Sequence, residues 1–126
     1  MSTTIRRGLA VSALVTLAGC GSSGGGGAPE HPSGLVGTVG QGDAFTISLD
    51  DPQGHSIGTV AAGTYQLTVH DDSGIHNFHI QGQGVDDATS VEKAETKTYS
   101  VSLSPGTYTF LCDAHPDTMK GTFTVK

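Results

Sequence analysis

Of 126 residues only six are Lys or Arg, two are Cys, two are Met and none is Trp. Both arginines, Arg6 and Arg7, stand near the start. From Cys20 onward four lysines (Lys93, Lys97, Lys120 and Lys126) face twelve acidic residues, a formal net charge of −8. A chain so poor in cations cannot neutralise a phosphate backbone, which excludes nucleic acid as a partner. Its field would instead draw in a basic protein surface. Two cysteines exclude a disulfide framework, and a single methionine beyond Met1 leaves no Met-rich cluster for storing a soft metal. Nor is there an apolar run of the about 20 residues that a spanning helix needs. The length suits one domain.

The longest apolar run, Gly8 to Ala18, follows Arg6 and Arg7 and leads into small residues, the layout of a secretory leader over residues 1–19. Its end, "LAGC" from Leu17 to Cys20, resembles the lipobox of bacterial lipoproteins. That resemblance implies a lipidated Cys20 as the first mature residue. It further implies an exported protein anchored to a bacterial membrane, on the periplasmic or cell-surface side. General secretion and twin-arginine export both stay open. Residues 20–34 are rich in Gly, Ser and Pro and read as a flexible tether with a span of about 20 Å. His31, within it, reads as solvated. Once Cys20 carries lipid, Cys112 has no thiol to pair with in an oxidising compartment. Such a thiol is either deeply buried or held by something.

Residues 35–126 form the expected domain. Phe45, Ile47 and Leu49 alternate with polar residues, as do Tyr65, Leu67 and Val69, then Tyr99, Val101 and Leu103. Tyr108, Phe110 and Cys112 continue the pattern, and Phe123 and Val125 close it. Short period-2 segments separated by Gly, Pro and Asp predict an all-β fold, an antiparallel sandwich or barrel of about 90 residues. Periodicity fades over 81–96, which reads as a long loop with a helical turn near Val91 to Ala94.

Two stretches carry chemistry. In "SGIHNFHIQG" an extended chain places His76, Phe78 and Ile80 on one face and Asn77 and His79 on the other. Phe78 and Ile80 belong to the core, so His76 points inward. In "TFLCDAHPDTMKGTF" Cys112 is in phase with Tyr108 and Phe110, hence also inward, and ends its strand. His115 and Met119 follow where a loop can fold back over the same point. A thiolate, two imidazoles and a thioether make a soft donor set that suits one copper ion in both oxidation states. Structural zinc takes four strong ligands and catalytic zinc keeps a water, and neither use calls for Met.

These motifs, His76-Asn77 and Cys112-x-x-His115 followed closely by Met119, resemble those of the cupredoxin family, the plastocyanin- and azurin-like type 1 blue copper proteins. The resemblance implies a Greek-key β-sandwich or barrel. It implies that Cys112 supplies a short thiolate bond, His76 the buried imidazole, His115 the imidazole nearer the surface and Met119 the axial thioether. Asn77 would hydrogen-bond beside the cysteine, where family members usually carry Ser or Thr and this chain has Asp113. The charge of Asp113, so near the metal, favours Cu(II) and lowers the reduction potential.

The remaining histidines read as surface groups. His79 faces away from His76 on an extended strand and so presents itself to solvent or a partner, while His55 and His70 sit beside turn and acidic residues. The pairs Asp50-Asp51, Asp71-Asp72 and Asp86-Asp87 read as turn formers, with docking of a basic partner as the sharper alternative. Function then reduces to two readings. One is a membrane-tethered, monomeric carrier that passes single electrons between redox proteins by Cu(I)/Cu(II) cycling. The other is a copper storage or delivery protein with the same ligands. An enzyme is not expected, because Cys112 and His115 lack an orienting third group and no further His cluster is present to help copper reduce oxygen.

Overall fold

The computed structural model describes residues 30–126, so the leader, Cys20 and the tether up to residue 29 lie outside the described residues. Nine strands follow: β1 (Leu35–Val39), β2 (Ile47–Asp50), β3 (Thr59–Val60), β4 (Gly63–Asp71), β5 (His79–Gly82), β6 (Val85–Ala88), β7 (Glu95–Leu103), β8 (Gly106–Leu111) and β9 (Lys120–Val125). They build two sheets, ordered β2-β1-β4-β7 and β3-β9-β8-β5-β6. Among the described residues no helix is long and apolar enough to cross a membrane.

The alternating segments become strands because each puts one row of apolar side chains on the inner face. Leu35, Val39, Leu67, Val69, Val101 and Leu103 line one sheet, and Ile80, Tyr108, Phe110, Phe123 and Val125 line the other. Phe78 stacks on Phe110 at 5.7 Å between ring centroids, and Tyr108 on Phe123 at 5.2 Å. Two glycines make room for these rings. A side chain at Gly37 would press on Phe78, and one at Gly121, directly opposite Phe110 in the β8–β9 ladder, would enter the Phe110 ring.

The all-β sandwich matches the sequence expectation, with three corrections. Both sheets are mixed, because β1 runs parallel to β4 and β3 parallel to β9. Alternation reports which face a residue occupies and is blind to strand direction. Next, the expected loop over 81–96 contains β6, which pairs with β5 from His79↔Ala88 to Gly82↔Val85. Its "VDDA" is too short and too acidic to show a period. Asp86-Asp87 therefore lie on a strand and not in a turn, and 91–94 forms a turn and no helix. Finally, Phe45 precedes β2 and is 59% exposed, so it does not join Leu49 in the core.

The end of the expected tether lies against the sandwich. Ala61 N–H donates to the Glu30 carbonyl at 2.7 Å, and the exposed His31 ring stacks on Tyr65 at 4.8 Å. At the opposite pole the ends of β1, β4 and β8 and the starts of β5 and β9 come together, as Val39↔Asp71, His79↔Leu111 and Leu111↔Lys120 pair there.

Candidate metal centre

Three ligand-type side chains converge at that pole. His76 lies in the connection between β4 and β5, and Cys112 immediately follows β8. Both are fully buried. The loop after Cys112 is wound tightly by its own backbone. His115 N–H donates to the Cys112 carbonyl at 3.1 Å and Met119 N–H to the His115 carbonyl at 2.9 Å, while Cys112 N–H closes the loop on the Met119 carbonyl at 2.9 Å. The β8–β9 ladder then resumes at Leu111↔Lys120. This winding sets His115, half-buried, over the sulfur, and leaves Met119 fully buried at the foot of the loop.

The donor atoms of His76, Cys112 and His115 all lie within 4.8 Å of one another. Nδ1 of His76 and Nδ1 of His115 are 3.0 Å apart, and Cys112 Sγ is 3.9 Å and 3.7 Å from them. Bonds of about 2.0 Å to nitrogen and about 2.3 Å to sulfur, meeting at an open trigonal angle, separate N from S by about 3.7 Å. The site therefore has the size of one transition-metal ion. Its chemistry agrees. His76 Nε2 lies 3.3 Å from the Asp43 carbonyl, which can only accept, so Nε2 carries the proton and Nδ1 is left bare for a metal.

The surroundings hold these groups still. Asn77 N–H donates to Cys112 Sγ at 3.4 Å. The Asn77 amide donates to the Thr89 carbonyl and to Asp113 Oδ2, at 3.2 Å and 2.8 Å, and its oxygen accepts the Asp113 N–H at 2.7 Å. Thr89, which no sequence signal marks, also takes the Phe78 N–H on its hydroxyl at 2.9 Å and donates to the buried Asp71 at 2.6 Å. Burial raises the Asp71 carboxyl above its ordinary value, against the bonds from Thr89 and Ser73. Gly40, at φ 68°, lets its loop pass where a side chain would run into Ser73 and crowd His76.

His79 departs from the expectation of a free surface residue. Its side chain is 19% exposed and held between two carboxylates, with Nδ1 2.8 Å from Asp113 and Nε2 2.5 Å from Asp86. Burial disfavours the protonated ring, but the bonds to Asp113 and Asp86 outweigh it and raise its pKa. Burial likewise pushes the Asp113 carboxyl up, yet the bonds from His79 and Asn77 prevail and hold it below the usual range.

Phe45 was legible only as an apolar residue. It lies edge-on to both imidazoles, 4.9 Å from His76 and 4.7 Å from His115, and is itself exposed, as is Ile75, the residue before His76. His55 makes an exposed pair with Asp51, whose carboxylate also takes the N–H groups of Gln53 and His55, a turn-forming role. His70 is exposed on β4.

In fold the chain is similar to reduced rusticyanin, at 20% identity and a TM-score of 0.50, covering 73% of this chain and 77% of the other. A methionine-to-glutamine variant of rusticyanin gives 21% identity and a TM-score of 0.51, over 73% and 76%. Auracyanin A, a "blue" copper protein of Chloroflexus aurantiacus, matches at 14% identity and a TM-score of 0.47, over 76% and 100%. No curated protein matches the chain in sequence. A family model, that of the cupredoxin-like domain, matches residues 43–125. By that match, which spans both motifs and nearly the whole sandwich, the chain belongs to the cupredoxin-like domain family.

Proposed function

We propose that the protein is a type 1 blue copper protein that carries single electrons between redox partners. The observation that carries this reading is the meeting of one thiol and two imidazole nitrogens at ion-sized spacing in a buried pole. Cys112, His76 and His115 would hold the copper, and Met119, buried at the base of the loop, would supply a weaker thioether donor. Bound there, copper supplies a one-electron Cu(I)/Cu(II) couple. The fold of rusticyanin, a copper protein, supports the assignment.

What the chain contributes is a fixed cradle. The Asp43 carbonyl orients His76, the Asn77 N–H engages the sulfur, and the wound loop restrains His115. A site whose ligands are held in advance changes little between oxidation states, which favours fast exchange of electrons. His115, the ligand nearest solvent, is the natural port, with the exposed Phe45 ring against it. A thiol enzyme is disfavoured because the Cys112 sulfur is fully buried, out of reach of a substrate. Anchoring through lipid on Cys20, which would hold the carrier near membrane-bound partners, completes the reading.

The test is to add Cu(II) to the purified protein and record visible and electron-paramagnetic spectra. An intense blue thiolate-to-copper band, absent in Cys112→Ser, is expected. A colourless protein refutes the assignment. For the anchor, mass spectrometry of the mature N-terminus should find diacylglyceryl-modified Cys20, and an unmodified chain refutes it.

A further inference from the structure

Asp113 is the carboxylate nearest the candidate centre in sequence, one residue from Cys112 and two from His115, and it does not stand alone. Its Oδ2 is bound by the Asn77 amide and its Oδ1 by His79 Nδ1, whose other nitrogen meets Asp86. A continuous line thus runs from Asp86 through His79, Asp113 and Asn77 to the Cys112 sulfur, which the Asn77 N–H touches. A histidine between two carboxylates can bond both only when both its nitrogens carry protons. Resting on the blue-copper reading above, we propose that His79 is a positioning residue of the metal centre. Doubly protonated, it fixes Asp113 against Asn77 and offsets its charge, so that the reduction potential of bound copper falls when His79 loses a proton.

The groups facing His79 make this specific. From β6 comes Asp86, while Asp87 pairs with Ile80 and belongs to the other face. From the loop after β8 comes Asp113. On β9, Lys120 stands opposite Leu111, which stands opposite His79, so one cation shares the face two strands away. Asp86 is 79% exposed and can turn into water, whereas Asp113 is fastened by Asn77. The proton therefore leaves from Nε2, and Nδ1–H stays on Asp113. The ring is then neutral, and the uncompensated Asp113 charge favours Cu(II). Conversely, the electron that converts Cu(II) to Cu(I) comes from the redox partner or electrode, and a proton from solvent binds Nε2 of a neutral His79. Each tenfold difference in His79 proton affinity between the two oxidation states corresponds to about 59 mV between the acid and alkaline potentials.

The experiment is voltammetry of the copper-loaded full chain from about pH 5 to about pH 10, bracketing an imidazole titration, beside NMR titration of His79 in the metal-free protein. The potential should fall in one step centred on the His79 titration. In Asp86→Asn the step should move to lower pH. In His79→Gln it should vanish while the blue band persists. In the metal-free protein the Asn77 side-chain amide signals should follow the His79 titration and cease to do so in His79→Gln. A potential flat through that titration, a step that survives His79→Gln, or Asn77 signals indifferent to pH overturns the proposal. Failure of the copper reading is seen separately, as a colourless wild-type protein, and the metal-free arm still decides the role of His79.

Discussion

Asn77 and Asp113 hold each other twice: the Asn77 amide donates to Asp113 Oδ2 at 2.8 Å, and the Asp113 backbone N–H donates to Asn77 Oδ1 at 2.7 Å. The pair ties the segment bearing His76 to the loop bearing Cys112 and His115. His76 stands 36 residues before Cys112 and 39 before His115, and neither strand pairing nor core packing alone fixes their separation closely. A reciprocal side-chain clamp does.

Asn77→Ala should therefore loosen the centre as well as the fold. It strands the Thr89 carbonyl in a buried setting and the Asp113 N–H and one Asp113 oxygen in a partly buried one, at a cost of about 1–3 kcal/mol. Urea unfolding of the metal-free protein should show that loss. The copper-loaded variant should show a shifted thiolate-to-copper band. Wild-type stability with an unmoved band would mean that the clamp is dispensable.

Asp113→Ser tests the charge apart from the clamp. The backbone N–H to Asn77 Oδ1 survives, and a hydroxyl can still accept from the Asn77 amide, but the negative charge is gone. The reduction potential should rise relative to wild type, because removing an anion beside the metal weakens the preference for Cu(II). An unmoved potential would refute the electrostatic role.

Much of this site is legible in the sequence. The phase of Tyr108 and Phe110 points Cys112 inward, and that of Phe78 and Ile80 does the same for His76, because a pleated strand admits one inner face. His76 precedes β5, yet the alternation carries through it. Asn77 escapes the rule: it belongs to the outer phase but is buried, since the Cys112 loop and Thr89 cover it. The role of Thr89 and that of Asp86 beside His79 escape the sequence for a related reason. Their partners lie on other segments, so only tertiary pairing of β6 with β5 gives them a role. Phe45 falls in phase with Ile47 and Leu49 although it lies two residues before β2, because alternation cannot tell the end of a loop from the start of a strand.

Phe45→Ala tests the place the structure gives this ring. The ring is too exposed to contribute much to stability, but it covers the edges of both imidazoles. Removing it should leave the unfolding free energy measured in urea within about 0.5 kcal/mol of wild type, as for surface substitutions generally. It should also speed removal of copper by a small chelator such as cyanide by several-fold, with Phe45→Leu intermediate. Equal removal rates in all three proteins would show that the ring does not shield the centre.

His79 and Asp113 also give metal-free stability a definite pH dependence. The folded pKa of His79 is raised above 6.5, so its contribution is complete below the unfolded value and is lost as pH rises through the folded one. The folded pKa of Asp113 is lowered below 3.8, so its contribution is complete above that value and is lost as pH falls through the folded one. The two overlap between the unfolded values, 3.8 and 6.5, where the pair is charged on both sides and the ion-paired contribution is greatest. The difference in urea midpoint between wild type and His79→Gln should thus be largest in that window and shrink on the alkaline side. Asp86→Asn, which removes one of the two bonds that raise His79, should bring the alkaline decline to lower pH. A wild-type excess that stays constant from acid to alkaline solution would mean that His79 contributes by packing and not by charge.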